Sequence, residues 1–497
     1  MSTKNSAGRT LPETIAGEKY TQFKKAHKNN CDSKVKSLKK ALKQSGLKDG
    51  QTISFHHQLR NGDYVVNHTL DVIRDLGIKN LRLAQTALFP IHEPVIDHIK
   101  EGTITRIEGS INGTVGDYVS KNPLPHPVVL RSHGGRWAAV KNDELHVDVA
   151  IIAASAADNR GNCTGLIGKS AFGPICYSQV DAMHADHVIV VTDNLIDRPC
   201  GFQEITEEYV DHVVQMDQIG NPKDIVSGSL KVTDNPQKLH IARQCINLMK
   251  SLDLIKDGLI FQAGAGGISL AALQYLDKTL EENNVVAACE TGGFTKFIAE
   301  MHRKGLVKNA YGLQCFDVDS IKYIAETRRL ITDIGHYADP SSKGRFLDGL
   351  HATILGATEV DTNFNVNVNT HSDGRLLHGI GGHQDSAAGA NLTMITVPAY
   401  RKTIPVIRDA VTTITTPGDV IDAIVTDQGV AINPKRTDLL DKLEGNTDLN
   451  LVSIEDLKEM AYNETGGPPE VNLGDDIVGI TKWRNGELLD VIYKVEE

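Results

Sequence analysis

Short β-branched runs alternate with amphipathic stretches along most of the chain. QTISFHH is followed by YVVNHTLDVIRDLG and then NLRLAQTAL, and GLIFQAG by ISLAALQYLDKTL and then VVAACE. A strand period that gives way to a helix period and returns predicts parallel sheets covered by helices. A first helix is expected in VKSLKKALKQSG, where Val35, Leu38 and Leu42 share a face and Gly46 ends it. Residues 1–30, MSTKNSAGRTLPETIAGEKYTQFKKAHKNN, lack any such pattern and read as an N-terminal arm.

The layout occurs twice. In one half a strand enters the loop LRNGD, passes through a helix and returns; in the other a strand enters GAGG and does the same. LHVDVAIIAASAADNRGNCTGLIG likewise resembles LHATILGATEVDTNFNVNV, and HVIVVTD pairs with DAIVTD. Self-similarity at domain length predicts an α/β fold of two similar open-sheet domains, residues 31–230 and 231–497, joined through IGNPKDIVSGSLKVTDNPQ. Open α/β sheets take ligands at the C-terminal ends of their strands, so one cleft between the halves is expected.

Charge narrows the field. A net charge of −11 over 497 residues argues against nucleic acid and against an anionic membrane. The seven cysteines are scattered with no C-x-x-C pair, which predicts neither a disulfide framework nor a metal site. No signal-like apolar segment opens the chain, and VAIIAASAA is too short to span a bilayer, so a soluble, cytoplasmic protein is expected.

Four stretches carry candidate chemistry. The run Gly264, Ala265, Gly266 and Gly267 lies between a strand and a helix, where backbone N–H groups converge on an anion. It matches the start of a dinucleotide fingerprint but has Ser269 at the third glycine position, with Glu290 at the distance of a ribose-binding acid. A tight turn that only packs strand on helix is the plain alternative. FHHQLRNGD offers His56, His57, Arg60, Asn61 and Gly62 after a strand, an arrangement suited to holding a carboxylate. Of two adjacent strand-end histidines one points into the core, so one at most touches ligand. RSHGGR joins Ser132, His133, Gly134 and Arg136 in another donor-rich turn, or forms a solvated loop. Finally, Asn365, Asn367 and Asn369 alternate along a strand, either lining a site or stitching loops together, and lead to Gly381, Gly382 and His383.

GIGGHQDSAAGA after an N-x-N strand, with GAGG and ETGG upstream, resembles the acyl-CoA transferase superfamily. From about residue 31 the chain resembles the alpha-subunit family of citrate lyase, the citrate CoA-transferases. SFHHQLRNGD, SHGGR, EVDTNFNVNVNTHSDG, GGHQD and TDQGVAINP carry that resemblance in order. It implies exchange of the acetyl group on a carrier or CoA thioester for citrate, giving citryl thioester and acetate. It implies an acyl-carrier gamma subunit and a citryl-lyase beta subunit as partners, in an oligomer. It implies no tightly bound cofactor, the CoA-derived prosthetic group being co-substrate. The amides of Gly266, Gly267, Gly381 and Gly382 would serve the oxyanion. Arg60, His56 and the asparagines would hold citrate, in a cleft shared with Thr291 and Gly292. Glu290 could be a nucleophile, a wall of the citrate site, or a strand-end carboxylate satisfied by the Gly292 and Gly293 amides. Competing readings are a transferase for a short monocarboxylate, an NAD-binding dehydrogenase, and a ligand sensor, for which no DNA-binding helix pair is visible.

Overall fold

The computed structural model describes residues 3–4, 8–11, 33–226, 232–264, 266–329 and 333–496. Most of the expected arm, the middle of the expected joint and Ala265 lie outside them. Residues 1–33 form a unit of their own, in which Thr3–Lys4 pairs antiparallel with Thr10–Leu11. Lys34–Glu497 is one compact unit.

Fourteen strands build two large sheets in that unit. The first sheet uses β1 (Val35–Lys36), β2 (Thr52–Phe55), β3 (Leu81–Gln85), β4 (Ile104–Ile107), β5 (Val149–Ala154), β6 (His187–Thr192) and β7 (His212–Gln215). The second uses β8 (Ile260–Ala263), β9 (Ala287–Phe294), β10 (Val307–Cys315), β11 (Ala352–Leu355), β12 (Thr393–Thr396), β13 (Ala423–Val425) and β14 (Val430–Ile432). The orders are β4-β3-β2-β5-β6-β7-β1 and β10-β9-β8-β11-β12-β13-β14. Every neighbouring pair is parallel except β13 with β14. Buried Val, Ile and Leu on both faces of these strands explain the near-continuous apolar runs.

Two details of the pattern come out differently. Val35 is not helical: it pairs with Val213 at the edge of the first sheet, and the helix starts at Leu38 and runs to Gln44. DAIVTD forms β13, which occupies the place of β7, whereas HVIVVTD forms β6, whose counterpart is β12. Similar apolar runs recur on every central strand, so composition alone misassigns neighbours.

A smaller motif is also repeated. Ala156–Asp158 pairs antiparallel with Cys163–Thr164 and parallel with Leu195–Ile196, as Glu359–Asp361 does with Val366–Asn367 and Ile407–Arg408. In the first copy Asp158 accepts from the Arg160, Gly161 and Asn162 amides and from Asn162 Nδ2. In the second, Asp361 accepts from the Asn363 and Asn365 amides and from Asn365 Nδ2.

The chain ends by crossing back. The hairpin Leu473–Lys482 and Leu488–Val495 adds in parallel to Val128–Leu130. Leu313, Ile334, Leu376 and Val478 belong to the same apolar core as the first sheet. Among the described residues no helix is long and apolar enough to cross a membrane.

Candidate active site

A cavity of about 430 Å³ opens where the C-terminal ends of both sheets meet. His57 and Thr86 follow β2 and β3, Gln262 and Gly264 stand at the end of β8, Gly292 is in β9 and Gln314 in β10. One pocket is thus lined from both halves, at the place where strand ends leave backbone groups free.

The histidine pair after β2 splits. His56 turns inward, its Nε2 3.0 Å from Asp181 Oδ2, and that carboxylate takes two bonds of 2.8 Å from Arg136. Burial opposes charge on Asp181, but Arg136 and His56 hold its carboxyl well below the usual range. Arg136 and His56 therefore form a buried ion network and do not line the cavity. His57 does line it. Its Nδ1 lies 2.6 Å from Thr86 Oγ1, and burial, with His133 and Arg60 nearby, keeps the ring neutral.

Arg60 takes a left-handed backbone with φ of 50°, a conformation uncommon outside glycine. That turn carries its guanidinium across to the second sheet, where Nη2 donates to the Cys315 carbonyl at 3.0 Å and Cζ lies 4.1 Å from the centroid of the Phe316 ring. Burial lowers its pKa to about 10, so it remains a cation at neutral pH. Asn61 and Gly62 point elsewhere. Asn61 Oδ1 accepts from the Ile91 amide, and a Cβ on Gly62 would stand 2.7 Å from the Asn221 carbonyl.

RSHGGR opens α1 (His133–Lys141), and its serine hydroxyl and first-turn amides are already engaged. Ser132 caps the helix and donates to Asp385 Oδ1 at 3.0 Å, while the Gly134 amide donates to Asp385 Oδ2 at 2.9 Å. The His133 amide donates to the Gly381 carbonyl at 2.9 Å, which fixes the ring against the cavity. His133 stacks on His57 with centroids 5.4 Å apart and planes 5° from parallel, and both rings meet the edge of Tyr177.

The second glycine set faces the same space. Gly264 lines the cavity, but its amide donates to the Ile354 carbonyl. Gly266 caps α2 (Gly267–Glu282). The amides of Gly266 and Gly267 have no acceptor among the described residues, and neither residue lines the cavity. Gly381, with φ of 60°, and Gly382 do line it, before α3 (His383–Gly389). Their amides are also unmatched among the described residues. His383 is held at both nitrogens, by Thr416 Oγ1 and the Gly356 carbonyl, and burial lowers it to about 4.

The asparagine ladder turns inward. Asn365 bonds Asp361, Asn367 bonds Glu359 and Thr370, and Asn369 bonds the His378 carbonyl and Thr415. None of the three lines the cavity. Glu290 is fully buried in β9, and among the described residues neither carboxyl oxygen has a hydrogen-bond partner. The Gly292 and Gly293 amides do not satisfy it, and burial raises its pKa well above the usual value, so it stands neutral. Thr291, its neighbour, donates to the Tyr311 carbonyl. Among the described residues His146, Asp148 and Asp186 bring ligand atoms within 4.8 Å of one another, at a place that does not line the cavity. Asp148 there already binds the Thr52 amide and Gln51.

The family model described as citrate lyase, alpha subunit (CitF), matches residues 32–495. The chain belongs to the citrate lyase alpha-subunit family. A citrate lyase alpha chain from Haemophilus influenzae is 40% identical over 463 residues, spanning 93% of this chain and 92% of its own length. A Streptococcus mutans structure assigned as the citrate lyase alpha subunit, in complex with citrate, superposes with a TM-score of 0.92 at 38% identity, covering 98% of this chain and 96% of that one. The malonate decarboxylase alpha subunit from Acinetobacter baumannii shares the fold, with a TM-score of 0.64 at 14% identity over 88% of this chain and 91% of its own.

This citrate lyase alpha-family chain also lines its cavity with residues the sequence pattern did not single out. Gln262 accepts from the Tyr337 hydroxyl at 2.9 Å, close beside Gly292, whose φ is 107°. Gln262 and Gln314 had a usable signal: each is a glutamine near the end of an apolar strand. Tyr177, Tyr337 and His378 had none, because they stand in a 3-10 turn, a five-residue helix and a loop that meet only in three dimensions.

Proposed function

We propose that this chain is the transferase subunit of a citrate lyase, exchanging the acetyl group of an acyl-carrier or CoA thioester for citrate. The observation that carries the reading is the match of residues 32–495 to a family with a citrate-bound relative, across the segments that build the cavity. A carboxylate oxygen of citrate attacks the thioester carbonyl, and the tetrahedral intermediate expels the thiolate to leave an acetyl–citryl anhydride. That thiolate then attacks the citryl carbonyl and releases acetate. A gamma subunit supplies the carrier thiol and a beta subunit cleaves the citryl product. No tightly bound cofactor enters the scheme.

Arg60 is the fixed cation for citrate, its position set by the Cys315 carbonyl and the Phe316 ring. The Gly381 and Gly382 amides are the donors for the first oxyanion, where one such bond contributes about 100-fold in rate. Gly266 and Gly267, whose amides stand at the head of α2 outside the cavity lining, are not assigned to this oxyanion. Glu290, buried in β9 behind the cavity lining, is no nucleophile in this scheme, since its carboxyl is kept neutral. The halves are residues 31–230 and 231–497, one large sheet in each, with the last hairpin returning to the first.

Mass spectrometry tests the exchange: citrate with acetyl-CoA or acetyl carrier should yield citryl thioester and acetate. Failure with both thioesters contradicts the proposal. Exchange of acetate or hydroxybutyrate that citrate does not inhibit would point to a short-monocarboxylate transferase instead.

A further inference from the structure

We propose that His133 is a neutral imidazole that donates its N–H to the oxygen on which charge develops during acyl exchange. This rests on the transferase reading and adds a reacting-site residue to it.

Its ring faces the cavity, and among the described residues no side chain or carbonyl bonds either ring nitrogen. The other cavity histidines are engaged. His57 is tied to Thr86, His383 to Thr416 and Gly356, and His378 Nδ1 to the Gly379 carbonyl. His133 is also held in place: its own amide is anchored on Gly381, its face rests on His57, and Tyr177 meets it edge-on.

Position joins it to the oxyanion donors. A Cβ built on Gly381 would lie 3.8 Å from His133 Nε2, so that nitrogen borders the turn carrying the Gly381 and Gly382 amides. His133 Nε2 and the Gly381–Gly382 turn thus border the same stretch of the cavity, where an oxyanion site would draw on all three N–H groups.

The surroundings oppose a cation there. His57 stacks on it, His378 and Arg136 oppose its charge, Arg60 and Arg131 line the same cavity, and Tyr177 is neutral. Asp385, a carboxyl that lines the same cavity, is engaged by Ser132, Gly134 and Arg484. Burial first, then His378 and Arg136, lowers the imidazole to about 3. The ring therefore donates a hydrogen bond and transfers no proton. As the C–O bond forms, the carbonyl π electrons move onto oxygen and His133 N–H holds that charge. Collapse restores the carbonyl and expels the thiolate, and His133 ends as it began.

His133→Ala and His133→Gln, each checked by thermal melting, test this in the citrate–acetyl-CoA exchange assay. His133→Ala should lower kcat about 100-fold with the citrate KM within about 3-fold of the parent, and His133→Gln, which keeps an N–H, should recover about 10-fold of that loss. Parent and His133→Gln should share one kcat profile from about pH 6 to 8. Three results would overturn the proposal: an unchanged kcat with a raised citrate KM, a glutamine variant as slow as the alanine, or an acid-favoured parent rate that glutamine abolishes. A parent that performs no exchange would instead refute the transferase reading.

Discussion

At the scale of single residues, Glu290 shows how burial decides chemistry. Its strand-end place suggests a nucleophile, yet among the described residues the carboxyl has no hydrogen-bond partner, and burial favours its protonated form. Glu290→Gln, which keeps shape and neutrality, should leave exchange within about 3-fold of the parent, and no acyl adduct should be trapped on the parent enzyme. A loss of about 100-fold or more, together with an adduct on Glu290, would contradict this. The sequence correctly implied that one of His56 and His57 turns inward, because neighbouring residues at a strand end face opposite ways. Which one does so depends on Asp181 and Arg136, far away in the chain. The glycine pair of RSHGGR was less legible. It reads as a donor nest, but Asp385 takes the Gly134 amide from 251 positions away.

At the scale of elements, the repeated aspartate cages explain the asparagine ladder. Asn365 does for Asp361 what Asn162 does for Asp158, so its carboxamide belongs to a turn present in both halves. Asn365→Ala should reduce unfolding stability by about 1 kcal/mol in a denaturant titration. The citrate KM should not change. A KM raised about 10-fold at unchanged stability would return Asn365 to the substrate site. The alternation of apolar and polar positions predicted a strand through all three asparagines, of which the structure forms only Val366–Asn367, and it did not show how the amides are satisfied. The partners come from the neighbouring strand Glu359–Asp361 and from loops around Thr370, His378 and Thr415, none of them marked by the period of this segment.

At the scale of the whole molecule, the two sheets were readable from helix and strand periods, and their matching order follows from duplication. Their junction was not. Arg60 reaching Cys315, Asp385 capping α1 and the final hairpin joining Val128–Leu130 are contacts between distant segments, set by shape and hydrogen-bond demand. Those contacts create the cavity, so the account stands or falls on what occupies it. A crystal of this chain grown with citrate is the most direct measurement. Citrate should lie between Arg60, His57, His133 and the Gly381–Gly382 turn, with one carboxylate on the Arg60 guanidinium. Citrate bound outside that cavity, or a cavity left empty at saturating citrate, would contradict the central claim.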